Sequence, residues 1–212
     1  MMILPVPTDQ APADEVPSGR GAGGEATVII VPGLRDHVAD HWQTHLAAAL
    51  VSAGRAVRTL APLTDDRLSC AARVAALEEA VTSAAGPVVL VAHSAGVITT
   101  VHWARGHRTD QVRGALLATP PDLDQPMHPP HPSTEDLKAN GWLPVPQDRL
   151  PFPSVVATST DDPLAALDRV LDLARDWGSL VVGLGAVGHL NPASGYGPWP
   201  QAEELLKEFD RD

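Results

Sequence analysis

The amino-acid sequence predicts a doubly wound α/β domain built around a mostly parallel sheet. Short runs of apolar and β-branched residues, of the kind that form strands buried on both faces, recur along the chain. Stretches with apolar residues at helical spacing separate these runs, and Gly or Pro marks many of the junctions. Ligands of such domains bind beyond the carboxyl ends of the strands. We therefore expect the functional residues to follow strands directly.

The length and composition agree with one globular domain. The 212 residues correspond to one domain, with or without a tail, at a typical size of about 150 residues. Apolar residues make up 44% of the chain and charged residues 19%, which excludes a chain that is disordered throughout. The first residues are rich in Pro, Gly, Ala and Asp and contain few large apolar side chains. We expect residues 1–25 to form a flexible tail and residues 26–212 to form the domain.

The first part of the domain alternates strands and helices. A β-branched run at 26–31 ends at a Pro-Gly pair and predicts a strand buried on both faces. Apolar stripes predict helices at 40–53 and 68–81, with a weaker strand at 56–60 between them. The apolar run at 88–92 is the strongest strand signal in the chain.

The second part continues the alternation around one irregular stretch. Its predicted elements are a helix at 95–105, strands at 112–118 and 154–158, a helix at 163–177, a strand at 180–184 and a last helix at 201–209. Residues 120–153 are rich in proline and show no period of 2 or 3.6. They predict a long irregular connection that edges a pocket.

The candidate nucleophile is Ser94, which lies between the strongest predicted strand and the helix that follows it. A serine at a strand–turn–helix junction of this kind is held in a strained conformation that exposes its hydroxyl. Tiny residues two positions before and after the serine allow the strand and the helix to pack closely. Ala92 and Gly96 hold these positions, although glycine is more usual at the first. The alternative for Ser94 is an ordinary helix N-cap.

A serine nucleophile needs a base, which is usually a histidine oriented by a carboxylate. Among the 9 histidines, His189 is the one that lies in a Gly-rich loop directly after the last predicted strand. Asp162 follows the preceding strand and is the expected acid, although Asp before Pro is also a common helix cap. Asp161 and Asp122 are the second and third choices.

The oxyanion that forms during acyl transfer needs preorganised donors. The backbone N–H of Ala95 follows the nucleophile at a helix start, and that of Leu34 lies in the loop after the first strand. We expect these two groups to form the oxyanion hole. Candidate residues of the substrate pocket are Arg35, His41, Trp42, His93 and Trp199.

Three histidines and the single cysteine call for other interpretations. His37, His41 and His45 recur every four residues, which would suit a metal site on a helix face. His37 precedes the predicted helix, however, and no strong ligand cluster accompanies the other two. We expect no metal and no other cofactor. Cys70 lies on a helical stripe and is expected to be a small core residue.

The net charge limits the expected partners, and the cysteine content indicates the compartment. The formal net charge of −11 would repel a phosphate backbone or an anionic membrane, so nucleic acid and membrane are not expected partners. Cys70 cannot form an internal disulfide, and no apolar run approaches the roughly 20 residues that span a bilayer. The opening residues have no basic leader and only a short apolar stretch, so we expect no secretory signal there. We expect a cytoplasmic protein.

Several short blocks occur in the order found in one known family. They are Pro-Gly-Leu at 32–34, His-Trp at 41–42, Ala-His-Ser-Ala-Gly at 92–96, Asp-Asp-Pro at 161–163, Trp-Gly at 177–178, Gly-His-Leu-Asn at 188–191 and Gly-Tyr-Gly-Pro-Trp-Pro at 195–200. Over about residues 27–209 the chain resembles the small α/β-hydrolases of the retinoblastoma-binding-protein-9 and YdeN type. The resemblance implies a compact domain without a large lid and a triad of Ser94, Asp162 and His189. Ala92 and the N-terminal tail depart from the family pattern.

These observations predict a cofactor-independent serine hydrolase. It would act on a small ester, or on an amide or thioester, through an acyl-enzyme on Ser94. The expected partner is thus a small acyl substrate. Two alternatives stay open: an interaction module that keeps the fold with little turnover, and an acyltransferase that uses the same triad.

Overall fold

The computed structural model describes residues 25–35, 38–127 and 129–210. The predicted tail lies almost entirely outside the described residues and stays a prediction, as does the domain boundary. The strands are β1 (Thr27–Val31), β2 (Val57–Thr59), β3 (Val88–His93), β4 (Val112–Ala118), β5 (Ser154–Thr158) and β6 (Leu180–Gly183). They form a parallel six-stranded sheet in the order β2-β1-β3-β4-β5-β6. The predicted fold class is confirmed, and no large lid covers the described part of the domain.

Helices cover both faces of the sheet. They are α1 (Trp42–Ser52), α2 (Cys70–Thr82), α3 (Ala95–Gly106), α4 (Thr134–Ala139), α5 (Leu167–Trp177) and α6 (Gln201–Lys207), with a short 3₁₀ turn at Pro192–Ser194. Apolar residues of α1 and α6 pack on one face, and those of α2, α3 and α5 pack on the other. Among the described residues, no helix is long and apolar enough to cross a membrane.

The strand β1 shows how the sequence supports two cores. Its side chains alternate between the faces: Ile29 and Val31 belong to the core under α2 and α3, whereas Val28 and Ile30 belong to the core under α1. All four are at most 1% exposed. A strand that is buried on both faces needs an uninterrupted apolar run, which is the pattern that predicted it.

The carboxyl ends of β1 and β3 define the crevice for the site. These strands are neighbours in the sheet, with Val31 paired to Ala92. The chain leaves β1 for α1 on one face and leaves β3 for α3 on the other. Because the two connections diverge, they leave open the kind of crevice in which α/β proteins bind ligands.

Two predictions in the second half are wrong in detail. The helix α4 interrupts the connection that was expected to be irregular, where Ser133 and Asp136 form a capping box and Leu137 is the one buried side chain. A six-residue helix with one buried position shows no detectable periodicity. The helix predicted at 163–177 begins only at Leu167, because the Asp162 carboxylate accepts a hydrogen bond from the Leu164 N–H and holds a turn there.

Candidate active site

Ser94 sits at the junction between β3 and α3. Its backbone has φ 56° and ψ −128°, a strained conformation for a residue with a side chain. Gly96 packs against the end of β1 so closely that an added Cβ would lie 2.2 Å from the Val31 carbonyl oxygen. Ala92 is fully buried. The small residues on both sides of Ser94 therefore reflect close packing of β1, β3 and α3, which fixes the direction of the serine side chain.

Ser94, His189 and Asp162 meet at the carboxyl edge of the sheet. The Ser94 hydroxyl lies 2.8 Å from His189 Nε2. His189 Nδ1 lies 3.0 and 2.8 Å from the two Asp162 carboxylate oxygens. A carboxylate at Nδ1 favours the tautomer in which Nδ1 donates, which leaves Nε2 as the acceptor for the serine proton. The side chains of His189 and Asp162 are 7% and 3% exposed, so water competes little for these bonds.

The backbone of His189 is anchored at both of its polar groups. Its N–H donates to the Ser194 hydroxyl at 3.0 Å, and its carbonyl accepts from His93 Nε2 at 2.9 Å. The preceding Gly188 has φ 55°, and an added Cβ would lie 2.5 Å from the Ser194 hydroxyl. The glycine is thus needed both for the backbone conformation and for the close approach of Ser194. The loop presents the imidazole in one orientation.

The two other candidate carboxylates, Asp161 and Asp122, have different hydrogen-bond and ion-pair partners. Asp161 accepts the Gly188 N–H at 2.7 Å and the Ser159 hydroxyl at 2.9 Å. These hydrogen bonds, with that of Gly188 the larger contribution, lower the pKa of Asp161. Asp122 lies 3.5 Å from Arg169 in an ion pair. Of the three candidates, Asp162 is the one in contact with the His189 ring.

The loop after β1 lies beside Ser94, and Arg73 of α2 binds the backbone of this loop. An added Cβ on Gly33 would lie 3.2 Å from Ser94 Cβ. Arg73 is 6% exposed and donates to the carbonyls of Gly33 at 3.3 Å and Leu34 at 3.5 Å. In a trans peptide the carbonyl and the following N–H point in opposite directions. Anchoring the Gly33 carbonyl on α2 therefore turns the Leu34 N–H away from α2.

The expected oxyanion donors both line the cleft that contains Ser94. Ala95 is the first residue of α3, so its N–H has no partner within the helix. Among the described residues, neither the Leu34 N–H nor the Ala95 N–H donates to a protein acceptor. Two unpaired N–H groups that flank a nucleophile can bind a developing oxyanion.

The cleft has a volume of about 390 Å³ and is open to solvent. Ser94, His189, His93, His41 and Arg35, which are candidate site residues, line it. Its apolar lining is supplied by Pro121, Leu123, Met127, Pro132, Pro163 and Leu164. The Pro-rich connection predicted to edge a pocket does so, since Pro121 to Pro132 belong to it. The space is large enough for a small-molecule ligand beside Ser94.

A family model described as serine hydrolase matches residues 28–208 of the chain. The protein belongs to the serine hydrolase family. No curated protein sequence matches it. The predicted resemblance to YdeN-type hydrolases is confirmed by this match together with the solved structures that the fold resembles.

Three solved structures illustrate the likeness in fold. A YdeN-like hydrolase from Pectobacterium atrosepticum has a TM-score of 0.69 at 24% identity, over 88% of this chain and 91% of its own. The ydeN gene product of B. subtilis has a TM-score of 0.65 at 17% identity, over 87% and 98%. Est1E from Butyrivibrio proteoclasticus has a TM-score of 0.64 at 12% identity, over 87% and 85%.

In this serine hydrolase, His93 and His41 form the cleft wall behind His189. Burial lowers the pKa of His93 well below its usual value, and the neighbouring His189 and His41 act in the same direction. The His41 and His93 rings lie 4.6 Å apart, edge to face. His41 also caps α1, since its Nδ1 accepts the Gln43 N–H. His37 lies outside the described residues, and the described ones contain no cluster of three metal-ligating side chains.

Trp42 and Trp199, two of the candidate pocket residues, pack on each other beside α1. Neither of them is among the described residues that line the cleft. Trp42 is fully buried and packs edge to face on Trp199 with ring centroids 4.9 Å apart. The two rings join α1 to the segment before α6 and stabilise the core on that face. Cys70 is a core residue as predicted, and burial raises the pKa of its thiol to about 11.

Four side chains with a place in the site were missed by the sequence analysis. Ser194 holds His189, Arg73 holds the loop after β1, and His131 lines the cleft. Gln43 is 3% exposed and donates to the carbonyls of Val31 and Val91, which ties α1 to the ends of β1 and β3. A buried Gln or Arg on a helical stripe is the available signal, because such groups persist in a core when they are hydrogen-bonded.

Proposed function

We propose that this serine hydrolase cleaves a small carboxylic ester by an acyl-enzyme mechanism. Ser94 is the nucleophile, His189 is the general base and acid, and Asp162 orients His189. The observation that carries the proposal is the continuous series of contacts from Ser94 Oγ through both nitrogens of His189 to Asp162, at an open cleft. Hydrogen-bond distances of about 2.6–3.2 Å are those required of a nucleophile and its base.

In the first half-reaction Ser94 Oγ attacks the ester carbonyl carbon while its proton moves to His189 Nε2. The carbonyl oxygen becomes an oxyanion and accepts hydrogen bonds from the N–H groups of Leu34 and Ala95. When the tetrahedral intermediate collapses, the C–O bond of the leaving alcohol breaks and the His189 imidazolium protonates that alcohol. Asp162 stabilises the imidazolium and keeps the ring in the productive tautomer.

In the second half-reaction water takes the place of the alcohol. His189 Nε2 removes a proton from the water as it attacks the acyl carbon, and the proton returns to Ser94 Oγ as the acid leaves. The residues that act in the two halves are the same, so no cofactor enters the proposal. Arg35, His41 and His93 line the cleft around the acyl group. Because Cys70 is the single cysteine and is buried, we propose the reducing cytoplasm as the compartment.

The test combines covalent labelling with turnover. A fluorophosphonate probe should label the wild type and not Ser94→Ala, and short-chain acyl esters should be hydrolysed by the wild type alone. Ser52→Ala, on the exposed side of α1, is the matched control and should be labelled like the wild type. Equal labelling of Ser94→Ala and the wild type would remove Ser94 from the mechanism.

The same measurements separate the two alternatives. An absence of both burst and turnover with every ester would favour an interaction module that keeps the fold. Transfer of the acyl group to an added alcohol or amine in preference to water, measured by product analysis, would identify an acyltransferase.

A further inference from the structure

The side chains in the described lining of the cleft differ in charge from the chain as a whole. The chain carries a formal net charge of −11. Among the described residues that line the cleft, however, there is no Asp or Glu, whereas Arg35 and several histidines are present. A cleft focuses the field of the groups that line it, so the local charge decides which substrates enter.

Arg35 supplies the fixed positive charge of this lining. It directly follows Leu34, one of the proposed oxyanion donors, and it is exposed at the cleft. No carboxylate of the described residues forms an ion pair with it, whereas Arg55, Arg169 and Arg175 each have an acidic partner. An arginine that has no acidic partner among the described residues can bind the carboxylate of a ligand through two parallel hydrogen bonds.

His131 adds a hydrogen-bonding group near the Arg35 charge. It lines the cleft as well, on the Pro-rich connection. Its pKa is lowered by burial first, and then by the charges of Arg35 and His189. Its ring therefore lies within the electrostatic reach of both groups. A neutral imidazole at this point can donate one N–H to an anion that Arg35 binds.

The remaining lining suits a short hydrocarbon chain. Leu123, Met127 and Leu164 offer apolar surface on the described walls of the cleft. Such walls strengthen an ion pair formed beside them, since they reduce the local dielectric. A substrate with an ammonium group would lose water without gaining a carboxylate partner from the described residues of the lining, which opposes its binding.

We propose that the site selects esters whose acyl chain ends in a carboxylate, the half-esters of short dicarboxylic acids, and that Arg35 binds that carboxylate. This selectivity rests on the proposed function. It identifies the substrate class by charge: anionic acyl chains before neutral ones, and neutral ones before cationic ones.

Three esters that differ only in the terminal group of the acyl chain test the order. They are monoethyl glutarate, ethyl pentanoate and ethyl 4-aminobutyrate, which end in a carboxylate, a methyl and an ammonium group. We expect kcat/KM to be about tenfold higher for the anionic ester than for the neutral one, as for one charge-assisted interaction of about 1.4 kcal/mol. The cationic ester should be the poorest substrate.

Variants then assign the preference to Arg35. Arg35→Gln should lower the ratio of kcat/KM for the anionic ester to that for the neutral ester by about tenfold. Arg35→Lys should retain part of the ratio, since it keeps the charge and loses the planar fork. Arg175→Gln removes an exposed arginine of α5 that is paired with Asp172, and the ratio should stay at its wild-type value. An Arg35→Gln ratio equal to that of the wild type would overturn the proposal.

A binding measurement keeps this result separate from the reaction itself. Calorimetry with Ser94→Ala measures the affinity for unreacted monoethyl glutarate and for ethyl pentanoate. Preferential binding of the anionic ester, and its loss when Arg35→Gln is added, would support the anion site. If no ester is hydrolysed at the same time, the anion site stands and only the proposed function fails. Hydrolysis that depends on Ser94 but shows equal kcat/KM and equal binding for the two esters leaves the function standing and overturns the selectivity.

Discussion

Adjacent carboxylates take different roles in this site because their surroundings differ. Asp162 faces the imidazole of His189 and also accepts the Leu164 N–H, so it is held by both a ring and a turn. Asp161 instead accepts the Gly188 N–H. The first carboxylate can stabilise an imidazolium, whereas the second stabilises the loop that carries the imidazole.

Substitution of the two aspartates should separate these roles. Asp162→Asn should lower kcat by about 10³ to 10⁴, since the amide no longer favours the tautomer with a proton on Nδ1. Asp161→Asn keeps an oxygen that can accept the Gly188 N–H, so its loss of kcat should be much smaller. The measurement is kcat with a short-chain ester, with melting temperatures to show that both variants fold. A smaller loss for Asp162→Asn than for Asp161→Asn would reverse the assignment.

The junction of β3 and α3 shows how elements hold a strained residue. The positive φ of Ser94 persists because β1, β3 and α3 pack around it with no free space at Gly96. The neighbouring atoms are backbone carbonyls of Val31 and Pro32, which cannot move without disturbing β1.

We expect Gly96→Ala to lower the free energy of unfolding by about 3 kcal/mol or more, since overpacking against backbone cannot be relieved by a rotamer change. Gly106→Ala, in the same helix, is the matched control because nothing lies within 4 Å of its added Cβ. That control should be neutral or stabilising by up to about 1 kcal/mol. Urea unfolding measures both values, and equal stability of the two variants would contradict the packing explanation.

The helix α2 contacts the loop beside Ser94 through Arg73. Arg73 donates to the Gly33 and Leu34 carbonyls, and thereby sets the direction of the Leu34 N–H. Because that N–H is proposed to act on the oxyanion rather than on the bound ester, Arg73→Met should lower kcat by about tenfold to a hundredfold with little change in KM. Arg73→Lys should restore part of kcat. Steady-state kinetics of both variants give the answer, and a rise in KM at constant kcat would contradict it.

The stability of the whole molecule should depend on pH through histidines whose pKa is lowered in the folded state. Burial lowers the pKa of His93 well below 6.5, and the pKa values of His102 and His131 are lowered in the same direction. Above pH 6.5 the folded and unfolded states both hold His93 neutral. As the pH falls below that value, the unfolded state takes up a proton that the folded state does not, so the folded state loses stability.

His93 alone should therefore lower the free energy of unfolding by up to about 1.4 kcal/mol per pH unit below 6.5. His93→Gln keeps a donor for the His189 carbonyl and removes this titration, so its stability should fall less steeply with acid. Urea unfolding between pH 7 and pH 5 measures the slopes. His45→Gln, on α1, is the control for the loss of an imidazole at another position. Equal slopes for His93→Gln and the wild type would contradict the prediction.

The order of apolar runs along the chain was enough to predict all six strands and the parallel sheet. A central strand must be apolar on both faces, so its consecutive residues form an uninterrupted apolar run in the sequence. The same pattern made Ser94 and His189 candidate site residues, because functional residues of such sheets follow strands, and the structure places their side chains 2.8 Å apart. The local pattern did not predict α4, which buries only Leu137. It also placed the start of α5 too early, because a turn at Asp162 precedes the helix.

The contacts that complete the site could not be read from neighbouring residues. Arg73, Ser194 and His131 join it from separate segments, and Trp42 and Trp199 turn away from the cleft to pack on each other. Hydrophobic periodicity encodes which face of an element is buried, and so it establishes the layers of the fold. Which polar groups meet depends on how those layers pack and where their loops cross, and that arises from interactions between residues far apart along the chain.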